Sequence, residues 1–189
     1  MPTIINNGST HISIKTISAC DCNPGTFNLI LPIGSQPSEN DWDMISIEIK
    51  NPIRDFNVLV VSDTSAYDED CALLNSNTLS VLQGWTIYHI DVTSCILLGT
   101  TEIESLCPNY NLFRVQDGYI VFGEIDVTML DSNFNFMWTF AGNDVFCPMD
   151  NELKPIEICN DRIKLFDFKG DYYELNYRGV LLTHHKKQK

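Results

Sequence analysis

Ile125-Asp126-Val127-Thr128-Met129-Leu130-Asp131, the polar step Ser132-Asn133, and then Phe134-Asn135-Phe136-Met137-Trp138 form the stretch that decides the fold. β-branched and large apolar residues, an Asp, a tight polar turn and an aromatic-rich return are the pattern of a β-hairpin. The Asp has a structural use there, because its carboxylate can accept the backbone N–H groups of the turn that follows. The order recurs in Arg162-Ile163-Lys164-Leu165-Phe166-Asp167, Lys169-Gly170, and Asp171-Tyr172-Tyr173-Glu174-Leu175. Asp131 and Asp167 lie 36 residues apart, and Ile90-Asp91-Val92, about 40 residues before Asp131, is a fainter copy. A spacing near 40 residues is what stacked sheet modules produce.

Strand patterning extends outward from these hairpins over the whole chain. Ile45, Ile47 and Ile49 alternate with Ser46, Glu48 and Lys50, so the segment 42–50 has one face inward and one in water. Further strands are expected at 11–17, 27–31, 56–62, 79–82, 85–92, 95–98, 110–115, 119–122, 126–130, 135–140, 155–159, 162–168, 171–177 and 180–183. Asn23-Pro24-Gly25, Asp117-Gly118 and Arg178-Gly179 are among the turns between them. Only Thr101–Leu106, closed by Pro108, suggests a short helix. The expected class is therefore all-β: an antiparallel meander, a β-sandwich or a small, incomplete propeller-like arrangement. A single domain over residues 1–189 is expected, with an N-terminal hairpin in 1–34 packed on it and a flexible tail at 184–189.

The repeated hairpins resemble those of β-propeller repeats of the quinoprotein-like and Asp-box kinds, over about 50 residues. The resemblance implies stacked sheets and assigns no catalytic residue. An Asp-box carries Ser, Asp and Gly at fixed places before its Trp, whereas Asp131, Asn133 and Asn135 stand there before Trp138.

The chain has 189 residues, 44% of them hydrophobic and 20% charged, which excludes a disordered chain, a collagen-like repeat and a coiled coil. Its formal charge of -13 is unevenly placed: residues 55–153 hold fifteen acids and one base, Arg114. Such a surface repels phosphate backbones and anionic membranes and steers basic partners toward it. Met1–Cys20 has no basic start followed by an apolar core, and no apolar run approaches the roughly 18 residues that span a bilayer, so a cytoplasmic protein is expected. The seven cysteines are an odd, scattered set that suits free thiols in a reducing compartment.

Candidate chemistry is sparse. Cys20-Asp21-Cys22 is too tightly spaced for a zinc knuckle and has no second pair of ligands. Asp63, Asp68, Glu69 and Asp70 crowd into one loop of the kind that holds calcium, and Asp131–Asn135 starts like an EF-hand loop but has Phe136 where a Gly is required. Both are read as solvated loops, with no metal and no cofactor assigned. Trp42, Trp85 and Trp138 sit in strand patterns and are assigned to core packing. His89 is the one histidine inside a strong strand, with Asp91 two residues on, placed to orient its imidazole. A hydrolase using His89 and a carboxylate, or a carbohydrate-binding module, is the alternative to the main reading. That main reading is a non-enzymatic module that binds a basic protein through Asp63, Asp68, Glu69, Asp70, Asp117 and Glu124, in the manner of an inhibitor or immunity protein covering a nuclease's basic cleft.

Overall fold

A computed structural model describes residues 3–38, 43–67, 69–150 and 153–186. It is all-β, with two single-turn 3-10 helices at Ala19–Asp21 and Pro24–Thr26. The first sheet contains β1 (Thr3–Asn7), β2 (Thr10–Ile17), β3 (Leu29–Leu31), β4 (Met44–Lys50) and β5 (Asp55–Val60) in the order β1-β2-β4-β5-β3. All its pairs are antiparallel except β3 with β5. Three four-stranded sheets follow, each with its strands in chain order. They are β6 (Ala72–Asn75) to β9 (Ile96–Glu102) through β7 (Thr78–Gln83) and β8 (Thr86–Asp91); β10 (Asn109–Val115) to β13 (Phe136–Ala141) through β11 (Gly118–Gly123) and β12 (Asp126–Asp131); and β14 (Ile156–Ile158) to β17 (Leu181–His185) through β15 (Arg162–Phe166) and β16 (Tyr172–Asn176). None of the four sheets closes on itself.

The chain divides into two compact units, Met1–Glu104 with Tyr110–Leu112, and Ser105–Asn109 with Phe113–Lys189. In the first, period-2 alternation sends Ile12, Ile14, Ile45, Ile47, Ile49, Phe56 and Val58 into one core with Leu79, Val81 and Ile90 of the second sheet. In the second, Ile120, Phe122, Val127 and Met129 meet Ile163, Leu165, Tyr173 and Leu175. A satellite core of Met44, Leu59 and Val61 forms on the other face of the first sheet, where Phe27 and Ile30 cover it.

The repeat is more regular than the hairpin comparison indicates, and it has a different member. Asn51, Asp91, Asp131 and Asn176 each follow or end the third antiparallel strand of a sheet and turn the chain into the next. Asn51 Oδ1 accepts the N–H groups of Ile53 and Arg54, and Asp91 Oδ1 those of Thr93 and Ser94. Asp131 Oδ1 accepts those of Asn133 and Asn135, and Asn176 Oδ1 those of Arg178 and Val180. The spacings are 40, 40 and 45 residues. Asp167, taken from the sequence as the partner of Asp131, instead occupies the turn between the second and third strands of its sheet, where it binds the Asp171 N–H. An Asp-turn-aromatic string looks alike at either turn, which is why the pattern alone misassigned it.

Three of the four third-to-fourth pairings also carry a register shift, between His89 and Ile90, Met129 and Leu130, and Glu174 and Leu175. The residues skipped on the fourth strands are Leu98, Met137 and Leu182, each about half exposed. The Asp117-Gly118 turn needs its glycine: φ is +154°, and a Cβ on Gly118 would stand 2.0 Å from the Leu130 carbonyl oxygen. Thr101–Leu106 forms no helix. Thr101 and Glu102 pair with Ile87 and Thr86 as the end of β9, because β-branched residues beside an open strand edge gain more from the ladder than from a lone helical turn. His184 and His185, expected in the tail, belong to β17 opposite Tyr173 and Tyr172.

Candidate functional site

The strand directions sort the acidic residues before any side chain is considered. In each four-stranded sheet the turn between the second and third strands lies at the same end as the start of the first strand. In the first unit this end collects the connection 61–71, the Gly84-Trp85 turn and Glu102, which pairs with Thr86. Asp63, Glu69 and Asp70 are there, all exposed. Asp68 lies outside the described residues. In the second unit Glu124 occupies the corresponding turn, whereas Asp117 sits at the opposite end of β11. Six strand residues separate these two acids, about 20 Å at strand rise. The structure therefore places Asp63, Glu69 and Asp70 on one connection at one end of the first unit and separates Asp117 from Glu124.

Other acids of the 55–153 stretch serve the fold. Both Asp91 and Asp131 are pulled below the usual carboxylate range by the turns they cap: Asp91 first by the Ser94 N–H and then by the Ser94 hydroxyl, Asp131 first by the Asn135 side-chain amide and then by the Asn135 N–H. Asp144 is bound by Lys169 Nζ at 2.9 Å. Asp126 is buried, and burial raises its pKa against the hydrogen bond its Oδ2 receives from Ser105 Oγ at 2.7 Å.

His89 is not paired as expected from the sequence. Its Nδ1 lies 2.9 Å from Ser80 Oγ and its Nε2 3.0 Å from Thr101 Oγ1, while the Asp91 carboxylate is occupied by its own turn. Burial lowers the imidazole pKa, so the ring is a neutral link between two hydroxyls across β7, β8 and β9.

The connection 61–71 is anchored. The Glu69 carbonyl accepts Asn111 Nδ2 at 2.8 Å, the Asp70 carbonyl accepts the Leu112 N–H at 2.7 Å, and the rings of Tyr67 and Tyr110 pack at 4.5 Å. At its start, the Ser62 and Thr64 hydroxyls bond at 2.9 Å and Gln83 Nε2 reaches the Thr64 carbonyl. Beside this stretch is a pocket of about 340 Å³ lined by Pro32, Ser62, Asp63, Gln83, Trp85 and Tyr88, among others. Burial pushes the Tyr88 phenol up, so it stays a neutral O–H at ordinary pH. Trp85 is half-buried and lines this pocket, so its assignment to core packing alone is corrected; Trp138 is also half-buried and donates Nε1–H to the Tyr177 carbonyl at 3.1 Å, and Trp42 lies outside the described residues. An aromatic wall, one carboxylate and amide and hydroxyl groups on a pinned segment can hold a flat or elongated cation by ring contact and charge together.

Successive antiparallel meanders closed by the same side-chain-capped turn define a propeller-like, all-β scaffold. Two solved structures share this fold with a TM-score above 0.5, and a third aligns less closely. The computationally designed protein Ika8 aligns with a TM-score of 0.54 at 10% identity, over 98% of this chain and 61% of its own. The AfRom2 CNH domain aligns at 0.54 and 8% identity, over 100% of this chain and 54% of its own. BamB from Moraxella catarrhalis aligns at 0.45 and 12% identity, over 99% and 61%. The chain thus spans little more than half the length of these structures. No protein-family model matches it, and no curated protein matches it in sequence. Among the described residues, no helix is long and apolar enough to cross a membrane.

Proposed function

We propose that this chain is a non-enzymatic binding module that docks a basic protein at the end of its first unit formed by the connection 61–71 and the Gly84-Trp85 turn. The observation that carries this reading is the pocket in which Trp85 and Tyr88 stand beside Asp63, with Glu69 and Asp70 exposed on the same connection. An arginine anchor fits it: the guanidinium stacks on an aromatic face and presents its N–H groups to a carboxylate. The surrounding negative charge accelerates encounter with a basic surface. The specific form of the proposal is an inhibitor or immunity protein in the cytoplasm, whose carboxylates take the place of substrate phosphates in a nuclease's basic cleft.

The test is titration with a short, capped arginine-rich peptide, followed by stopped-flow at increasing ionic strength. Binding is expected at low salt, with an association rate that falls as salt rises. Trp85→Ala and Asp63→Asn are each expected to weaken it about fivefold or more while the circular dichroism spectrum is kept. Binding indifferent to salt and to both substitutions would overturn the reading. The inhibitor form is tested separately, by adding the chain to a basic nuclease and measuring turnover.

A further inference from the structure

The outward face of the first sheet carries a second cavity, which shares no residue with the docking pocket. Its volume is about 440 Å³. Its floor is a polar ladder in register across three strands: Ser13 of β2 lies opposite Glu48 of β4, and Glu48 opposite Asn57 of β5. In the next row Lys15 lies opposite Ser46. Its wall is the segment 18–28, including Asp21, Asn23 and Phe27.

That wall is built before any ligand arrives. Ser18 Oγ donates to Asp21 Oδ2 at 2.8 Å, Asn23 Oδ1 caps the Gly25 N–H, and Thr26 Oγ1 donates to the Asn23 carbonyl. Asn28 and Asn57 clamp it to β5: Asn28 N–H donates to the Asn57 carbonyl at 2.8 Å, and the Asn57 N–H to Asn28 Oδ1 at 2.8 Å. Phe27 packs on the Met44, Leu59 and Val61 cluster, which holds its ring at the cavity edge.

The floor retains unused capacity. Glu48 is engaged by Lys50 Nζ at 3.0 Å, but Lys15 meets no carboxylate within ion-pair distance among the described residues. Opposite charges stand close together here, so a ligand with net charge of either sign meets a like charge. A hydroxyl group suits both, because it can donate to Glu48 or Asp21 while accepting from Lys15 or an Asn amide. An apolar ring edge beside such groups suits the C–H face of a sugar ring.

We infer that this cavity is a binding site for a neutral saccharide, held by Lys15, Glu48 and Asn57 on the floor and by Asn23 and Phe27 at the wall. The inference does not depend on the basic-partner reading.

The experiment is a two-dimensional amide NMR titration of the labelled chain with three neutral probes, the tetrasaccharides of cellulose, starch and chitin, and with glucuronate and glucosamine as charged controls. One neutral probe is expected to shift the amides of Ser13, Lys15, Asn23, Ser46 and Asn57, with a Kd on the order of 1 mM, and neither charged control to bind more tightly. Lys15→Met and Glu48→Gln, both at exposed positions on the solvent face, should each weaken that binding about tenfold with the circular dichroism spectrum kept, a factor typical of losing one hydrogen bond to a charged group. Tighter binding of a charged control, shifts confined to other residues, or no shift with any neutral probe up to about 20 mM would overturn the inference. Binding unchanged by both substitutions would overturn it equally, while unchanged arginine-peptide binding in the two variants would show that the docking end is intact.

Discussion

Replacing Tyr173 by Phe removes one oxygen atom from the second unit and tests how its core is held. Asp167 is completely buried, its Oδ1 receives the Asp171 N–H at 2.8 Å, and its Oδ2 receives the Tyr173 hydroxyl at 2.8 Å. The same phenol oxygen accepts the Asn143 N–H at 3.0 Å. Burial first of all pushes the Tyr173 phenol up to about 12, so it remains a donor throughout the working pH range. A hydrogen bond to a carboxylate contributes about 1.5–3 kcal/mol and a neutral one about 0.5–1.5, so the substitution should cost about 2–4 kcal/mol. For a chain of this size that lowers Tm by about 4–16 °C. The ring contacts with Phe140, Phe146 and His184 are kept, so the loss reports the oxygen alone. Denaturant unfolding of Tyr173→Phe, Asp167→Asn and the double variant should show strong coupling between the two sites. A loss under about 0.5 kcal/mol for Tyr173→Phe would refute the assignment of this hydrogen bond as a main restraint on the β15–β16 turn.

Two further predictions concern pH. The folded-state pKa of His89 is depressed by burial below 6.5, so its contribution to stability is present above 6.5 and lost as pH falls through the lower folded value. His89→Gln should therefore flatten the acid-side slope of the stability curve, and an unchanged slope would contradict the neutral hydroxyl-bridging role. Asp126 has the opposite shift. Its pKa is raised above 3.8 by burial, so its own contribution to stability is present below 3.8 and is lost as pH rises through the higher folded value. Asp126→Asn should gain stability relative to the parent as pH increases through that window, measured by denaturant midpoints at pH 3, 5 and 7; a constant difference would be inconsistent with the shift.

Much of the fold could be read from alternation, and the failures have physical causes. Ile45, Ile47 and Ile49 identify β4 because one face is buried and the other wet. β1, Thr3-Ile4-Ile5-Asn6-Asn7, and β6, Ala72-Leu73-Leu74-Asn75, carry no clear strand signal because they are short and end in Asn, where local composition resembles a turn. Both are held by a neighbouring strand more than by their own propensity. The repeat was visible as a period near 40 residues, but placing Asp131 in a third turn and Asp167 in a second requires knowing which strand each follows. The site was legible only as charge. Fifteen acids in one stretch mark a negative segment, yet turns claim Asp91 and Asp131 and the interior claims Asp126. The Trp85 pocket draws Pro32, Asp63 and Gln83 from segments far apart in the chain, and no local pattern connects them.

The register shifts at Leu98, Met137 and Leu182 bear on edge-to-edge pairing between molecules. An uninterrupted last strand carrying exposed Ile96 and Leu98, or Phe136 and Met137, would offer its unpaired N–H and carbonyl groups as a template for another molecule's strand. One extra residue in each of these strands bends the template and increases its twist, so a straight intermolecular ladder cannot extend along it. The same irregularity, repeated in three sheets, is the geometry expected to disfavour edge-to-edge extension into fibres.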